Sequence, residues 1–175
     1  DVSAGGNQSI CENAGLDIDA SVTGGTPPFT YAWTGDGASY LDSTTTEDAT
    51  FSGAPAGTYS LTLTVTDDNG CSDSDTATIT VYDSPDVSAG GNQSICQDAN
   101  LDIDGSVTGG ASPFTYLWTG DGAPYLDSTT TEDPTFSGAP AGSYSLTLTV
   151  TDDNGCSDSD TVTVTVNPLP VVSVD

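Results

Sequence analysis

The chain repeats itself. Asp1–Pro85 aligns on Asp86–Pro170 without a single insertion, and 70 of the 85 positions are identical. Self-similarity at a fixed period restricts the molecule to a tandem array of like modules, each one folding unit. Cys11 falls on Cys96, Trp33 on Trp118, Tyr59 on Tyr144 and Cys71 on Cys156. The expected modules are residues 1–85 and 86–170. Val172-Ser173-Val174 echoes Val87-Ser88-Ala89, so residues 171–175 read either as the start of a third copy or as a strand donated to a neighbour.

Within one copy the hydrophobic period is two. Tyr59-Ser-Leu61-Thr-Leu63-Thr-Val65-Thr66 alternates apolar and hydroxyl residues, and Ala77, Ile79 and Val81 alternate with Thr76, Thr78 and Thr80. Leu16, Ile18, Ala20 and Val22 make one face of a third strand; Phe29, Tyr31 and Trp33 share a face of a fourth. Shorter extended pieces are expected at Val2–Ala4, Gln8–Ile10, Ser39–Leu41 and Thr50–Ser52. Turn signals separate them at Gly24-Gly25, Gly35-Asp36-Gly37, Ala54-Pro55-Ala56-Gly57 and Asp67-Asp68-Asn69-Gly70. About seven half-buried strands in ~85 residues predict an all-β module, a small Greek-key sandwich. Tyr59, opening a strand after a Gly-containing turn, occupies the place of a tyrosine corner, and Trp33 is expected in the core.

Charge then removes whole classes of function. The chain has 26 acidic residues and no Lys, Arg, His or Met, for a formal charge of −26. Without cationic side chains it cannot neutralise phosphates, so nucleic acid and anionic membrane surfaces are excluded as partners. Without His or Lys there is no Ser-His or Cys-His nucleophile and no Schiff base. No apolar run approaches the ~20 residues that a membrane span needs. A chain lacking both an initiator Met and a signal peptide reads as a processed product or an excised piece. Adjacent carboxylates in turns, repeated in both copies with no sign of a cleft, do not make a glycosidase pair. The self-repulsion of such a chain calls for cations.

Two stretches carry a family resemblance. Tyr31-Ala-Trp33-Thr-Gly-Asp36-Gly37, followed by Ala56-Gly57-Thr-Tyr59-Ser-Leu61-Thr-Leu63-Thr-Val65-Thr-Asp67, resembles the pattern of PKD domains. Cys71-Ser-Asp-Ser-Asp75 with the Thr/Val strand after it, and Asn167-Pro-Leu-Pro170, are similar to tandem PKD-like repeats of large bacterial surface and secreted proteins. The resemblance covers both copies almost end to end. It implies an immunoglobulin-like sandwich serving as spacer, adhesin stalk or filament subunit. One departure is Thr34 or Thr119 where the family often has Phe before Gly-Asp-Gly; it falls in a turn and leaves the fold expectation unchanged.

Two cysteines per copy argue for disulfides in an oxidising compartment. Pairing Cys11 with Cys71 inside a module conflicts with the topology. Cys11 precedes the turn into the second strand and Cys71 follows the Asp67–Gly70 hairpin, at opposite ends of a strand roughly 20 Å long, whereas a disulfide needs Cα atoms ~4.4–6.8 Å apart. A distorted first strand would restore that pair. With modules stacked head to tail, Cys11–Cys156 becomes the expected bond between modules. Cys71 and Cys96 are then left for preceding and following copies.

The acids cluster in turns. One end of each sandwich is expected to gather Asp1, Asp42, Glu47, Asp48, Asp67, Asp68 and Asp73, and again Asp86, Asp127, Glu132, Asp133, Asp152, Asp153 and Asp158. Asn69 and Asn154 add amide oxygens, and Glu12, Asp36 and Asp83 sit on the surface expected to face this end across the linker Tyr82-Asp83-Ser84-Pro85. Hard oxygens in flexible turns suit calcium, which takes 6–8 of them, better than magnesium. The competing reading is a surface of solvated acids adapted to high salt.

The expected function is therefore structural: a non-enzymatic repeat segment of an extracellular stalk, adhesin or filament, stiffened by calcium and disulfides, its partners being neighbouring copies of the same repeat. The alternative is a carbohydrate-binding accessory module of a secreted hydrolase that meets glycans through Tyr40 and Tyr125. A third reading is a pilus-like polymer completed by the Val171–Val174 tail. Asn7-Gln-Ser9 and Asn92-Gln-Ser94 fit a glycosylation pattern, and the Ser43–Thr46 and Ser128–Thr131 loops could carry O-glycans, but plain solvated loop is the better reading of both.

Overall fold

Alternation of apolar and hydroxyl residues builds the two long central strands of each module. In the computed structural model, which describes residues 1–173, the chain divides into two units, Asp1–Asp83 and Ser84–Asp175. The first contains β1 (Val2–Ser3), β2 (Gln8–Cys11), β3 (Gly15–Ile18), β4 (Ser21–Val22), β5 (Thr30–Thr34), β6 (Ala49–Ser52), β7 (Gly57–Thr66) and β8 (Ser72–Tyr82). The second repeats them as β9 (Pro85–Ser88), β10 (Gln93–Cys96), β11 (Leu101–Asp102), β12 (Ser106–Gly109), β13 (Thr115–Thr119), β14 (Thr135–Phe136), β15 (Gly142–Thr151) and β16 (Ser157–Asn167). Pro85 already pairs with Gly109, which is why the second unit begins two residues before the repeat alignment alone would place it. Of the expected tail strand, Val174 and Asp175 lie outside the described residues, and Val171–Ser173 are exposed without regular structure.

Each unit is an immunoglobulin-like sandwich. One sheet has the order β2-β8-β7-β5, antiparallel except that β2 runs parallel to β8; the other face is built from the pairs β1-β4 and β3-β6. The first strand therefore changes sheets, at Gly5-Gly6, both with positive φ. Two side chains pin that crossing to β8: Ala4 N–H donates to the Asp75 carboxylate at 2.9 Å, and Thr78 N–H donates to Asn7 Oδ1 at 2.8 Å.

The inward side chains are those that the period of two selects. Leu61, Leu63, Ala77 and Ile79 are fully buried, as are Leu146, Leu148 and Val164 in the second unit, each contributing about 1.5–3 kcal/mol where the side chain is large. Trp33 and Trp118 lie in the cores, and each indole N–H donates at 2.9 Å, to Thr46 O and Thr131 O respectively. The tyrosine corner is present in both copies, Tyr59 Oη donating to Pro55 O at 2.8 Å and Tyr144 Oη to Pro140 O at 2.9 Å.

Two sequence expectations change. The strand expected over Leu16–Val22 breaks at Asp19-Ala20, because Ala20 N–H turns away to donate to the Asp48 carboxylate at 3.2 Å. The extended piece expected at Ser39–Leu41 is instead the end of a 3-10 helix, Asp36–Tyr40, with only Leu41 bridging to Phe51. The Gly-Asp-Gly turn explains it. Gly35 has φ 108°, and a Cβ there would run into the Ser60 carbonyl; Asp36 accepts Ser60 N–H at 2.6 Å; Gly37 lies against Leu61. The motif clamps the turn onto β7 and tightens the chain into a helix.

Candidate functional site

Carboxylates are the chemistry this chain has, and the fold gives many of them one task, accepting backbone N–H groups. Asp67 and its counterpart Asp152 sit at the β7–β8 and β15–β16 turns. Asp67 accepts N–H groups from Thr26, Asn69 and Cys71 at 3.1, 3.0 and 2.9 Å. Asp152 accepts from Ala111, Asn154 and Cys156 at 3.0, 2.9 and 2.8 Å. The Cys71 N–H leads in holding the Asp67 carboxyl below the usual carboxylate range. At Asp152 burial pushes upward, and the N–H groups of Ala111, Cys156, Asn154 and Gly155 together outweigh it and lower the pKa. Favouring the charged form through amide donors is what such geometry does.

The pattern extends beyond the turns. Asp42 and Asp127 each accept an N–H at 2.8 Å, from Thr50 and Thr135. Asp133 accepts Gly105 N–H at 3.0 Å, Asp158 accepts Val87 N–H at 3.0 Å, and Asp121 accepts Ser145 N–H at 2.6 Å. Glu12 accepts Ala56 N–H at 2.6 Å, and Glu47 accepts the Tyr31 hydroxyl at 3.2 Å. Burial, and then the Glu132 carboxylate beside it, raise the pKa of Tyr116. Asp68, Asn69, Asp83, Asp86, Asp153 and Asn154 are exposed.

This distribution bears on the expected metal ligands. Among the described residues, no three of His, Cys, Asp or Glu stand close enough to hold a metal ion. Asp67 and Asp152, the acids at the centre of the expected cluster, each accept three backbone N–H groups.

The cysteines occupy two turn geometries, each present twice. Cys11 and Cys96 end β2 and β10, their carbonyls accepting Ala14 N–H and Ala99 N–H at 3.1 Å. Cys71 and Cys156 follow the Asp67 and Asp152 turns, whose backbone N–H donates to their carbonyls at 2.9 Å. Cys11 is level with Tyr82 at one end of β8, and Cys71 precedes Ser72 at the other, a separation on the order of 35 Å. Pairing inside a unit is thus excluded by geometry. Cys11 and Cys156 are disulfide-bonded, whereas Cys71 and Cys96 are exposed thiols. Cys156 is 1% exposed.

Tyr40 packs edge-on against Phe51 and Tyr59, with ring centroids 5.8 and 5.1 Å apart, and Tyr125 does the same against Phe136 and Tyr144. Among the described residues no helix is long and apolar enough to cross a membrane.

Comparison with known proteins agrees with this architecture. The family model described as PKD domain matches residues 1–81 and again 82–166. A decoration protein of Escherichia phage T5 is 43% identical over 60 residues, which is 33% of this chain and 37% of that protein. The matched segment therefore spans little more than a third of that relative. Among solved structures, the PKD domain of KIAA 1837 protein is 24% identical with a TM-score of 0.44, covering 51% of this chain and 92% of that one. The PKD domain of human KIAA0319 is 20% identical with a TM-score of 0.44, covering 54% and 90%. The fibronectin(III)-like modules of Clostridium thermocellum CbhA are 14% identical with a TM-score of 0.40, covering 99% of both chains.

Proposed function

The chain belongs to the PKD-domain family through both of its modules, and from that premise we propose that it is a structural repeat segment of an extracellular bacterial stalk, adhesin or filament. Domains of this type are typically non-catalytic and commonly extracellular, and a disulfide suits an oxidising compartment. The observation that carries the reading is the unequal state of equivalent cysteines in two near-identical modules. Cys156 is buried and oxidised where Cys71 is an exposed thiol, and Cys11 is oxidised where Cys96 is an exposed thiol. We assign the oxidised pair as Cys11 with Cys156, a staple joining one module to the next. A covalent staple removes hinge freedom and turns two beads into one stiff segment.

The test is chemical. The chain has no Lys or Arg, so trypsin cannot cut it; digestion at Asp and Glu without reductant is expected to release Cys11 and Cys156 in one linked peptide. X-ray scattering before and after reduction and alkylation is expected to show a broader distribution of module separations once the bond is gone. Finding Cys11 linked to Cys71, or scattering that reduction leaves unchanged, overturns the staple.

Cations enter this proposal as a screening atmosphere rather than as chelated calcium. Raising NaCl from about 0.01 M to about 0.15 M shortens the Debye length from ~30 Å to ~8 Å. A chain of charge −26 is expected to melt about 5 °C or more higher as a result. A chelator at constant ionic strength is expected to leave the midpoint in place. A chelator-induced drop, reversed by calcium, would restore calcium as a bound ligand.

We favour the structural reading over carbohydrate binding because Tyr40 and Tyr125 pack edge-on against other aromatic rings within their units.

A further inference from the structure

In an Asn-Gly pair the backbone nitrogen reaches the preceding side-chain amide with little hindrance, because glycine has no Cβ to block the approach. The chain has two such pairs, Asn69-Gly70 between β7 and β8 and Asn154-Gly155 between β15 and β16. Both asparagines and both glycines are exposed, and a Cβ on either glycine would meet nothing within 4 Å. The other asparagines precede Gln, Ala, Leu or Pro. The Asp-Gly pairs, which share the chemistry, are closed by packing: Gly37, Gly105 and Gly122 are all buried. The two hairpin tips are where this reaction has room.

One carboxylate holds each tip shut. Gly70 N–H donates to Asp67 O at 2.9 Å and Gly155 N–H to Asp152 O at 3.1 Å, so each attacking nitrogen is tied into a β-turn. Asp67 Oδ1 accepts the N–H groups of Asn69 and Cys71, and Asp152 Oδ1 those of Asn154 and Cys156. The second oxygens accept from Thr26 and Ala111, which anchors each tip to a neighbouring loop. Attack needs the glycine nitrogen about 3–3.5 Å from the side-chain carbonyl carbon and without its proton. The turn must open first, and local opening breaks the bonds to the carboxylate.

We infer that Asn69 and Asn154 are sites of spontaneous deamidation and that Asp67 and Asp152 are the positioning residues that hold each site closed. In the first step the Gly70 nitrogen gives up its proton and bonds to Asn69 Cγ. The Cγ–Nδ2 bond breaks, and ammonia leaves with that proton. Water then adds across one of the two C–N bonds of the five-membered imide, giving aspartate or isoaspartate. Water is the sole co-reactant, and nothing is oxidised or reduced. Gly155 and Asn154 react in the same way. Either product adds one negative charge to the tip. Isoaspartate also adds one carbon to the backbone inside the turn, so the spacing that lets one carboxylate reach the N–H groups of residues 69 and 71 is lost. The modification is thus an irreversible release of the hairpin tip.

The experiment ages the full chain in mildly alkaline buffer below its melting midpoint and maps ammonia loss by mass spectrometry of peptides. Asp67→Ala is expected to speed deamidation at Asn69 at least about tenfold and to leave Asn154 at its wild-type rate. Asp152→Ala is expected to do the reverse, so each tip serves as the control for the other. Trp118→Ala destabilises the second module without touching its tip. At a temperature where circular dichroism shows that module folded, it is expected to leave Asn154 at the wild-type rate. The wild-type chain in urea is expected to lose ammonia faster at both tips than the folded chain. An unchanged rate at Asn69 in Asp67→Ala, or acceleration at Asn154 in Trp118→Ala equal to that in Asp152→Ala, overturns the carboxylate hold. Urea-unfolded chain that keeps both amides overturns the sites themselves.

Discussion

Trp118→Ala is expected to melt the second module on the order of 20 °C below the first while the first stays in place. Trp118 is 1% exposed, and its removal leaves a cavity beside Leu148 and Gly105 that the rigid sheet cannot close. Truncation of a buried Trp costs about 3–5 kcal/mol. For a module of this size each kcal/mol moves the midpoint about 4–8 °C. The substitution also removes the indole N–H bond to Thr131 O, leaving the loop tied at this position only by the backbone N–H bond to Thr129 O. The readout is unusually clean because the chain has two tryptophans. Trp33 becomes the lone indole, so fluorescence follows the first module while far-ultraviolet circular dichroism follows both. Coincident transitions at the wild-type midpoint would show that Trp118 is not a core residue.

The second large effect concerns Asp152. Replacing it with alanine strips the acceptor from three backbone N–H groups, one of them the buried N–H of Cys156. A stranded buried donor costs about 1–3 kcal/mol, and bonds to a charged acceptor are the stronger ones, so a loss of about 3 kcal/mol is expected. The Asp67→Ala change in the first module is expected to cost less, because Asp67 is half-exposed and water can replace the carboxylate.

The pH dependence follows from the same bonds. Asp67, Asp75 and Asp152 have folded pKa values below the ordinary carboxylate value, Asp75 through the N–H groups of Ala4 and Thr76. Each therefore adds stability that is fully present above the unfolded pKa of ~3.9 and is lost as pH falls through the lower folded value. Denaturation below about pH 4 is expected to be steep in the wild type. In Asp152→Ala the second module should be less stable at neutral pH yet shallower in its acid limb. An acid limb that the substitution leaves unchanged would show that Asp152 is not an anchor.

The sandwich was readable before any coordinates because its cause is local. Leu61, Leu63 and Val65 point inward for no reason other than a strand's period of two, and the 85-residue repeat doubles every such signal. The tyrosine corner and the buried Trp33 were legible on the same ground, each being a residue type at a fixed offset from a turn. The Ser39–Leu41 region departs from its expectation because the close approach that shapes it, of Gly35 to the Ser60 carbonyl, joins residues far apart in the chain. The acids were harder still. A carboxylate in a turn looks the same whether it waits for a metal or for an amide.

What the amino-acid order determined by itself was the module, its repeat, its strand pattern and a surface without cationic side chains. What tertiary structure decided was the use of the carboxylates and the inequality of the cysteines. Asp36, Asp48, Asp67 and Asp75 find their N–H donors 24, 28, 41 and 71 residues away. Only the folded chain brings such partners to hydrogen-bonding distance, and there the amides act where a chain without lysine or arginine has no cationic side chain to offer.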